Sequence, residues 1–321
     1  MSPKIRIVAM LFAFIMFVTG CSLIEKETIE GKVIDGKEVI ATVNDEHILK
    51  SDFELQVDSV KAVLEANGQE FTSAEGKKFF QEIRKQVLDS MIRDVIALQE
   101  AEKNGITLNE EDLEQAIVQM ESYHGGKEAL DNFLKNQNMD RQQFKDLLKQ
   151  QIIINDFREN MTSDITVTDK DVKKYYDDNK EMFELSSPEI RASHILVETE
   201  EDAKMVLSEL EQGKDFAELA KKYSTDESTS SNGGDLGYFG KGRMVPEFEE
   251  AAFKLKTGEI SDIVKSEFGY HIIKVTGQRS SLTLDDVKDY IKNNLISSKK
   301  EEKFNDLLDE WEKKSKIEKY L

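Results

Sequence analysis

The sequence predicts an α+β protein: a small domain with a sheet partly covered by helices, inserted into a mainly α-helical domain that both ends of the chain build. Three observations predict it. Apolar residues recur at spacings of three and four before residue 180 and again after residue 283, the period of amphipathic helices. Between them, Arg191–Val197 and His271–Val275 alternate with the period of strands. A glycine-dense stretch, Ser231-Asn-Gly-Gly-Asp-Leu-Gly-Tyr-Phe-Gly240, separates those strands, and the central segment has no second copy in the chain.

The 321 residues suffice for two or three domains. Charged residues make up 34% and the formal net charge is −20, or −22 once Lys4 and Arg6 are removed with the first twenty residues. This balance excludes nucleic acid as a partner, because backbone phosphates require clustered Lys and Arg. The one cysteine, Cys21, excludes an internal disulfide and any multi-cysteine metal site.

Residues 1–20 begin with Lys4 and Arg6 and continue with an apolar run, Ile7–Val18, too short for the roughly 20 residues of a spanning helix. This is a signal peptide. Its end, Val18-Thr-Gly-Cys21, resembles the lipobox of bacterial lipoproteins, which implies lipidation at Cys21. Several acyl chains, at about 0.8 kcal/mol per buried methylene, would anchor the mature chain to the extracytoplasmic face of the membrane. Residues 21–38 carry no sustained period and are expected to be a tether.

Val39–Val43 is β-branched and stops at the turn signal Asn44-Asp-Glu, a strand. Ser51 with Glu54 has capping-box spacing for a helix reaching about Ala66. A longer helix carries Phe79, Phe80, Ile83, Val87, Met91, Val95 and Leu98 and stops at Asn104-Gly105. Shorter stripes follow at Leu113/Ile117/Met120, Leu130/Phe133/Leu134 and Phe144/Leu147/Leu148/Ile152, and Thr168 with Asp171 caps a helix carrying Val172, Tyr175 and Tyr176. Pro188 marks the shift into the central domain, 188–278, because the residue before a proline leaves helical conformation. After it, Thr283 opens a helix with Val287, Ile291, Phe304, Leu308 and Trp311 on one stripe, which must be buried against the N-terminal half. Residues 39–187 and 279–321 therefore form one helical domain.

In the central segment, alternation places Ala192, His194 and Leu196 on one strand face, and His271 shares a face with Ile273 and Val275. Two helical patterns follow the first strand, the second opened by Asp215 with Glu218. Then come a loop, a short strand at Leu236–Phe239 and a short helix near Glu247–Phe253. The glycines make no phosphate cradle, since no Lys-Ser/Thr tail follows them. His47 and His124 lie near turns and are expected at the surface. No spacing among His194, Asp226 and His271 matches a metal-ligand motif, and neither metal nor cofactor is expected.

The set of His194, Ser224-Thr-Asp226, Gly234-Asp-Leu-Gly237, Met244, Phe248, Leu255-Lys-Thr-Gly-Glu-Ile-Ser261 and Gly269-Tyr-His271 resembles the parvulin family of peptidyl-prolyl isomerases. With the signal, the lipobox and the split helical flanks, the whole chain resembles the PrsA-type foldase lipoproteins of Gram-positive bacteria. The resemblance implies His194, Asp226 and His271 as catalytic residues and Leu236, Met244 and Phe248 as the proline pocket. Ser266 would bond the histidine pair and Phe268 would line the site. It further implies a helical chaperone domain, unfolded or partly folded exported polypeptides as partners, membrane contact through Cys21, and room for a homodimer. A holdase with a vestigial isomerase domain and a scaffold for cell-wall enzymes are the competing readings. Phosphate-selecting parvulins carry a basic cluster after the first strand; here stands Glu198-Thr-Glu-Glu-Asp202, which disfavours a phosphorylated substrate and favours basic or neutral residues before proline.

Overall fold

The structure is a computed structural model that describes residues 31–320, Asn138 excepted. The signal peptide, Cys21 and the first part of the expected tether lie outside the described residues.

In chain order the elements are strands β1 (Lys32–Ile34), β2 (Lys37–Val43) and β3 (Glu46–Leu49), then helices α1 (Lys50–Ala66), α2 (Ala74–Lys103), α3 (Glu110–His124), α4 (Lys127–Asn136), α5 (Arg141–Met161) and α6 (Asp169–Asp178). They continue with β4 (Glu184–Val197), α7 (Glu200–Glu211), α8 (Phe216–Tyr223), α9 (Glu227–Ser230), β5 (Asp235–Phe239) and α10 (Pro246–Ala252). Last come β6 (Val264–Ser266), β7 (Gly269–Ser281), α11 (Leu284–Lys314) and β8 (Ile317–Lys319). The chain divides into two compact units, one of residues up to Thr166 together with Ile296 onward, the other Val167–Leu295. Among the described residues no helix is long and apolar enough to cross a membrane.

In the first unit, the stripe of α2 buries Ile83, Val87, Leu88, Met91, Ile92 and Ile96 against Phe53 and Val57 of α1 and Ile154 and Phe157 of α5. Phe304 and Leu308 of α11 complete that core, and Trp311 stacks on Phe157 with ring centroids 5.5 Å apart. Each such side chain contributes roughly 1.5–3 kcal/mol on burial. The chain ends also meet through the backbone. β2 pairs with β3 on one edge and with β1 and then β8 along the other, and the Tyr320 N–H donates to the Ile40 carbonyl at 2.8 Å. A second core, formed by Leu113, Met120, Leu130, Leu134, Phe144 and Leu148, binds α3 and α4 to α5.

Two expectations need correction. Residues 32–38 of the expected tether are partly strand, since β1 and the start of β2 pair there. The Ser51/Glu54 capping box does not form: α1 is preceded by extended Leu49 without a side-chain cap, and Glu54 instead takes two hydrogen bonds from Arg84 at 2.6 and 2.7 Å. A charge-assisted bidentate pair is stronger than a backbone cap. The residues before Pro188 are extended, as expected: β4 runs through it, and its pairing with β7 is irregular between Glu184 and Glu189, which accommodates a residue without an N–H.

The second unit is built on a sheet in the order β5-β4-β7-β6, all neighbours antiparallel. Strand alternation sends Ile195, Val197 and Ile272 to one face, where α7 and α8 cover them with Ala203, Val206, Phe216 and Leu219. It sends Ala192, Ile273 and Val275 to the other, where α10 packs Phe248 and Ala252. α6 and the first turns of α11 belong to this unit by contact, wider than 188–278. The Tyr176 hydroxyl donates to the Leu282 carbonyl at 2.8 Å, and Arg279 pairs with Glu189 and Asp286.

Candidate active site

The register of β4 and β7 creates the site. His194 lies opposite Ile273 and His271 opposite Leu196, so the two histidines are diagonal neighbours on one face. Their Nδ1 atoms are 3.2 Å apart and their rings nearly parallel, at 18°. Both are buried, at 6% and 4% exposure. Phe248 of α10 presents its ring edge-on to each, at 5.7 and 5.3 Å.

Beyond the stretch where β5 pairs, the free edge of β4 is occupied by the loop between α8 and β5. The Thr225 N–H donates to the Leu196 carbonyl at 2.7 Å, the Leu196 N–H to Ser224 Oγ at 3.2 Å, and the His194 N–H to the Gly234 carbonyl at 2.8 Å. Gly234 has φ +78°, and a Cβ there would lie 2.0 Å from the His194 carbonyl oxygen, so only glycine allows the approach. The loop thereby carries Asp226 to His194, with Oδ2 2.7 Å from Nε2. On the other side Ser266 Oγ lies 2.7 Å from His271 Nε2.

These contacts form a directed chain. Burial pushes the Asp226 carboxyl up, but hydrogen bonds from Ser228, Thr229 and His194 outweigh it and hold the group well below the usual carboxylate range. An ionised Asp226 only accepts, so His194 Nε2–H donates to it and, with each ring singly protonated, His194 Nδ1 accepts from His271 Nδ1–H. His271 Nε2 then accepts from the Ser266 hydroxyl, whose oxygen accepts the Phe268 N–H at 3.1 Å. Burial pushes the His271 imidazole down to about 4, and His194 beside it adds to this while Asp226 opposes it.

The chain of polar groups floors a cavity of about 340 Å³ lined by His194, Leu196, Asp226, Leu236, Arg243, Met244, Val245, Phe248, Phe268 and His271. Every expected site residue on the sheet, loop and α10 lines it except Ser266, which stands behind His271. Phe268 is 63% exposed, at the lip. Sequence reasoning missed Thr229, whose hydroxyl donates to Asp226 Oδ2 at 2.5 Å and which its spacing of three from an N-cap aspartate could have indicated. It also missed Arg243 and Val245, and it left Leu196 unassigned although alternation had put Leu196 on the His194 face. His124 is half-buried against Phe133, with ring centroids 4.4 Å apart, rather than free at the surface. A larger hollow of about 490 Å³ in the first unit, lined by Lys37, Glu38, Leu49, Lys50, Ser51 and Glu54, has neither an aromatic floor nor a histidine. Among the described residues no cluster of three or more His, Cys, Asp or Glu side chains is placed to hold a metal ion.

A four-stranded antiparallel sheet with a buried histidine pair under an apolar cavity is the arrangement of a parvulin-type peptidyl-prolyl isomerase. Residues 173–279 match the family model for the PPIC-type PPIase domain, and residues 2–158 match that for a SurA-like N-terminal domain. The foldase protein PrsA of Caldanaerobacter subterraneus subsp. tengcongensis is 38% identical over 97% of this chain and 95% of its own. PrsA of Geobacillus kaustophilus is 40% identical over 73% of this chain and 77% of its own. The solved structure of the peptidylprolyl isomerase PrsA from Bacillus anthracis is 37% identical, covering 71% of this chain and 96% of that one with a TM-score of 0.31. The chain belongs to the PrsA foldase family.

Proposed function

We propose that this isomerase works at the outer face of the cell membrane, held there by lipid on Cys21, and acts on newly exported polypeptides through His194, Asp226 and His271. The observation that carries the site assignment is the directed chain Ser266–His271–His194–Asp226 beneath the apolar cavity.

An X–Pro bond exchanges isomers over tens to hundreds of seconds because rotation breaks amide resonance, with a barrier of about 18–20 kcal/mol. No covalent bond to the protein is required. Leu236, Met244 and Phe248 grip the proline ring and exclude the water that stabilises the polar planar amide. In the twisted state the carbonyl oxygen loses negative charge, so the fixed anion of Asp226 disfavours the planar form more than the twisted one. The histidines hold that carboxylate in place and ionised, and Ser266 fixes the tautomer of His271.

The helical unit, with the split flanks of the chain, serves as the chaperone part that presents unfolded segments to the site, and two copies can associate through it. Isomerisation of a proline peptide by the full chain, measured with and without Asp226→Ala, tests the site: an unchanged rate in the variant would refute the assignment. Incorporation of labelled fatty acid, abolished by Cys21→Ala, tests the anchor. Suppression of aggregation by the Asp226→Ala chain separates a chaperone activity from the isomerase.

A further inference from the structure

We propose that Arg243 selects substrates bearing an acidic side chain next to the proline, an inference that rests on the isomerase reading of the cavity. The second unit contains three arginines. Two are committed within the fold: Arg191 to Asp235, with Nη2–Oδ2 at 2.5 Å, and Arg279 to Glu189 and Asp286 at 2.7 and 3.0 Å. Arg243 is exposed, lines the cavity, and has no hydrogen-bond or ion-pair partner among the described residues.

Its backbone is held in place. Gly242, at φ +82°, turns the chain, and its N–H donates to the Glu249 carboxylate of α10 at 2.5 Å. Pro246 then starts α10 in its first turn. Arg243 is thus based on a short segment fixed at both ends, immediately before Met244, one of the residues gripping the proline ring. Successive Cα atoms are 3.8 Å apart, so a side chain adjacent to the bound proline comes within reach of a long guanidinium arm.

The charge inventory of the cavity gives the sign. Besides the imidazoles, the lining side chains that carry charge are Asp226 and Arg243. Asp226 is occupied by His194, Ser228 and Thr229, whereas Arg243 faces the substrate unneutralised. The acidic stretch Glu198–Asp202, from which a preference for basic or neutral residues was expected, does not line the cavity. Glu200 there is paired with Lys204 at 2.6 Å, and Asp202 with the Thr199 hydroxyl at 2.6 Å. The guanidinium therefore outweighs it at the proline, and its planar fork matches a carboxylate in two hydrogen bonds.

The test measures kcat/KM of the full chain on peptides with Glu, Ala or Lys immediately before the proline, and on a second set with the same residues immediately after it. At low salt the wild-type chain favours Glu over Ala by about two- to fivefold in at least one set, the range of a solvent-exposed ion pair. The ratio falls toward one as salt screens the pair. In Arg243→Glu the order inverts to favour Lys, and Arg243→Lys keeps part of the preference for Glu. Because each ratio is taken within one protein, a general loss of rate in a variant cancels. A wild-type chain that turns over all peptides with equal kcat/KM, or a Glu preference untouched by Arg243→Glu, overturns the inference and leaves the isomerase standing. Failure to turn over any peptide overturns the isomerase reading itself. Should the Glu variant be inactive, the salt dependence in the wild type decides.

Discussion

The sharpest consequence of the site is that His271 stays neutral far into the acid range. Its imidazole is pushed down to about 4 from an ordinary value of 6.5, chiefly by burial and further by His194. At pH 5.5 such a ring is protonated in about 3% of molecules, against about 90% for an ordinary histidine. The shift of about 2.5 units corresponds to about 3 kcal/mol disfavouring the imidazolium in the folded state. The sign for stability follows from proton counting. Between pH 6.5 and 4 the unfolded chain binds a proton at this residue that the folded chain refuses, so stability rises with pH across that window. The penalty is absent above 6.5, grows as pH falls and is complete at about 4.

The chain has four histidines, so their ring signals can be resolved by NMR and that of His271 assigned by its loss in His271→Gln. Its midpoint is expected near 4, with nitrogen shifts showing a proton on Nδ1. Hydrogen exchange of the β4 and β7 amides reads the local stability. Compared with His271→Gln, so that distant carboxylates cancel, the wild type loses about 3 kcal/mol between pH 6.5 and 4. A midpoint at 6 or above, a proton on Nε2 instead, or a flat difference in protection would refute the directed chain.

Other outcomes follow from single contacts. Gly234→Ala forces a Cβ to within 2.0 Å of the His194 carbonyl at φ +78°; the second unit should lose more than about 2 kcal/mol, read by exchange of the His194 amide. Phe248→Ala removes the ring packed against both imidazoles and should cost about 3–5 kcal/mol by chemical denaturation, with isomerase activity lost as well. Ser266→Ala leaves His271 Nε2 without its donor at a cost of about 1–3 kcal/mol, measured in the same way. Truncation after Ser315 removes β8 and the Tyr320 bond to Ile40, lowering the stability of the first unit by about 2 kcal/mol or more, read from urea denaturation, while the rate on a proline peptide is retained.

Much of this was legible in the sequence because periodicity survives folding. The strand alternation around His194 and His271, the stripe of α2 and the insertion of the sheet unit into a helical unit made from both chain ends all rest on apolar spacing, which burial enforces. The caps that depended on one competing partner were not legible. Ser51 and Glu54 satisfy the local rule, but Arg84, thirty residues away, takes the carboxylate. β8 was likewise hidden, since Ile317–Lys319 is too short to show a period and becomes a strand only because β2 offers an open edge.

The site divides along the same line. Residues fixed by a strand face were readable, because alternation decides which way they point: His194, Leu196 and His271 are such cases. Asp226 and Arg243 stand on loops, where no period exists, and their positions follow from long-range backbone contacts instead. Thr225 and Gly234 tie the first loop to β4, and Glu249 ties the second to α10. The resemblance supplied Asp226 and could not supply Arg243, since family likeness marks the shared chemistry of the reaction, whereas charge selection at the rim depends on which cations the rest of this chain has already neutralised. Arg191 and Arg279 differ from Arg243 in having carboxylates brought to them, by the sheet in Asp235 and Glu189 and by α11 in Asp286. That difference is a property of the fold, and it is where the catalytic apparatus of the isomerase and its choice of clients separate.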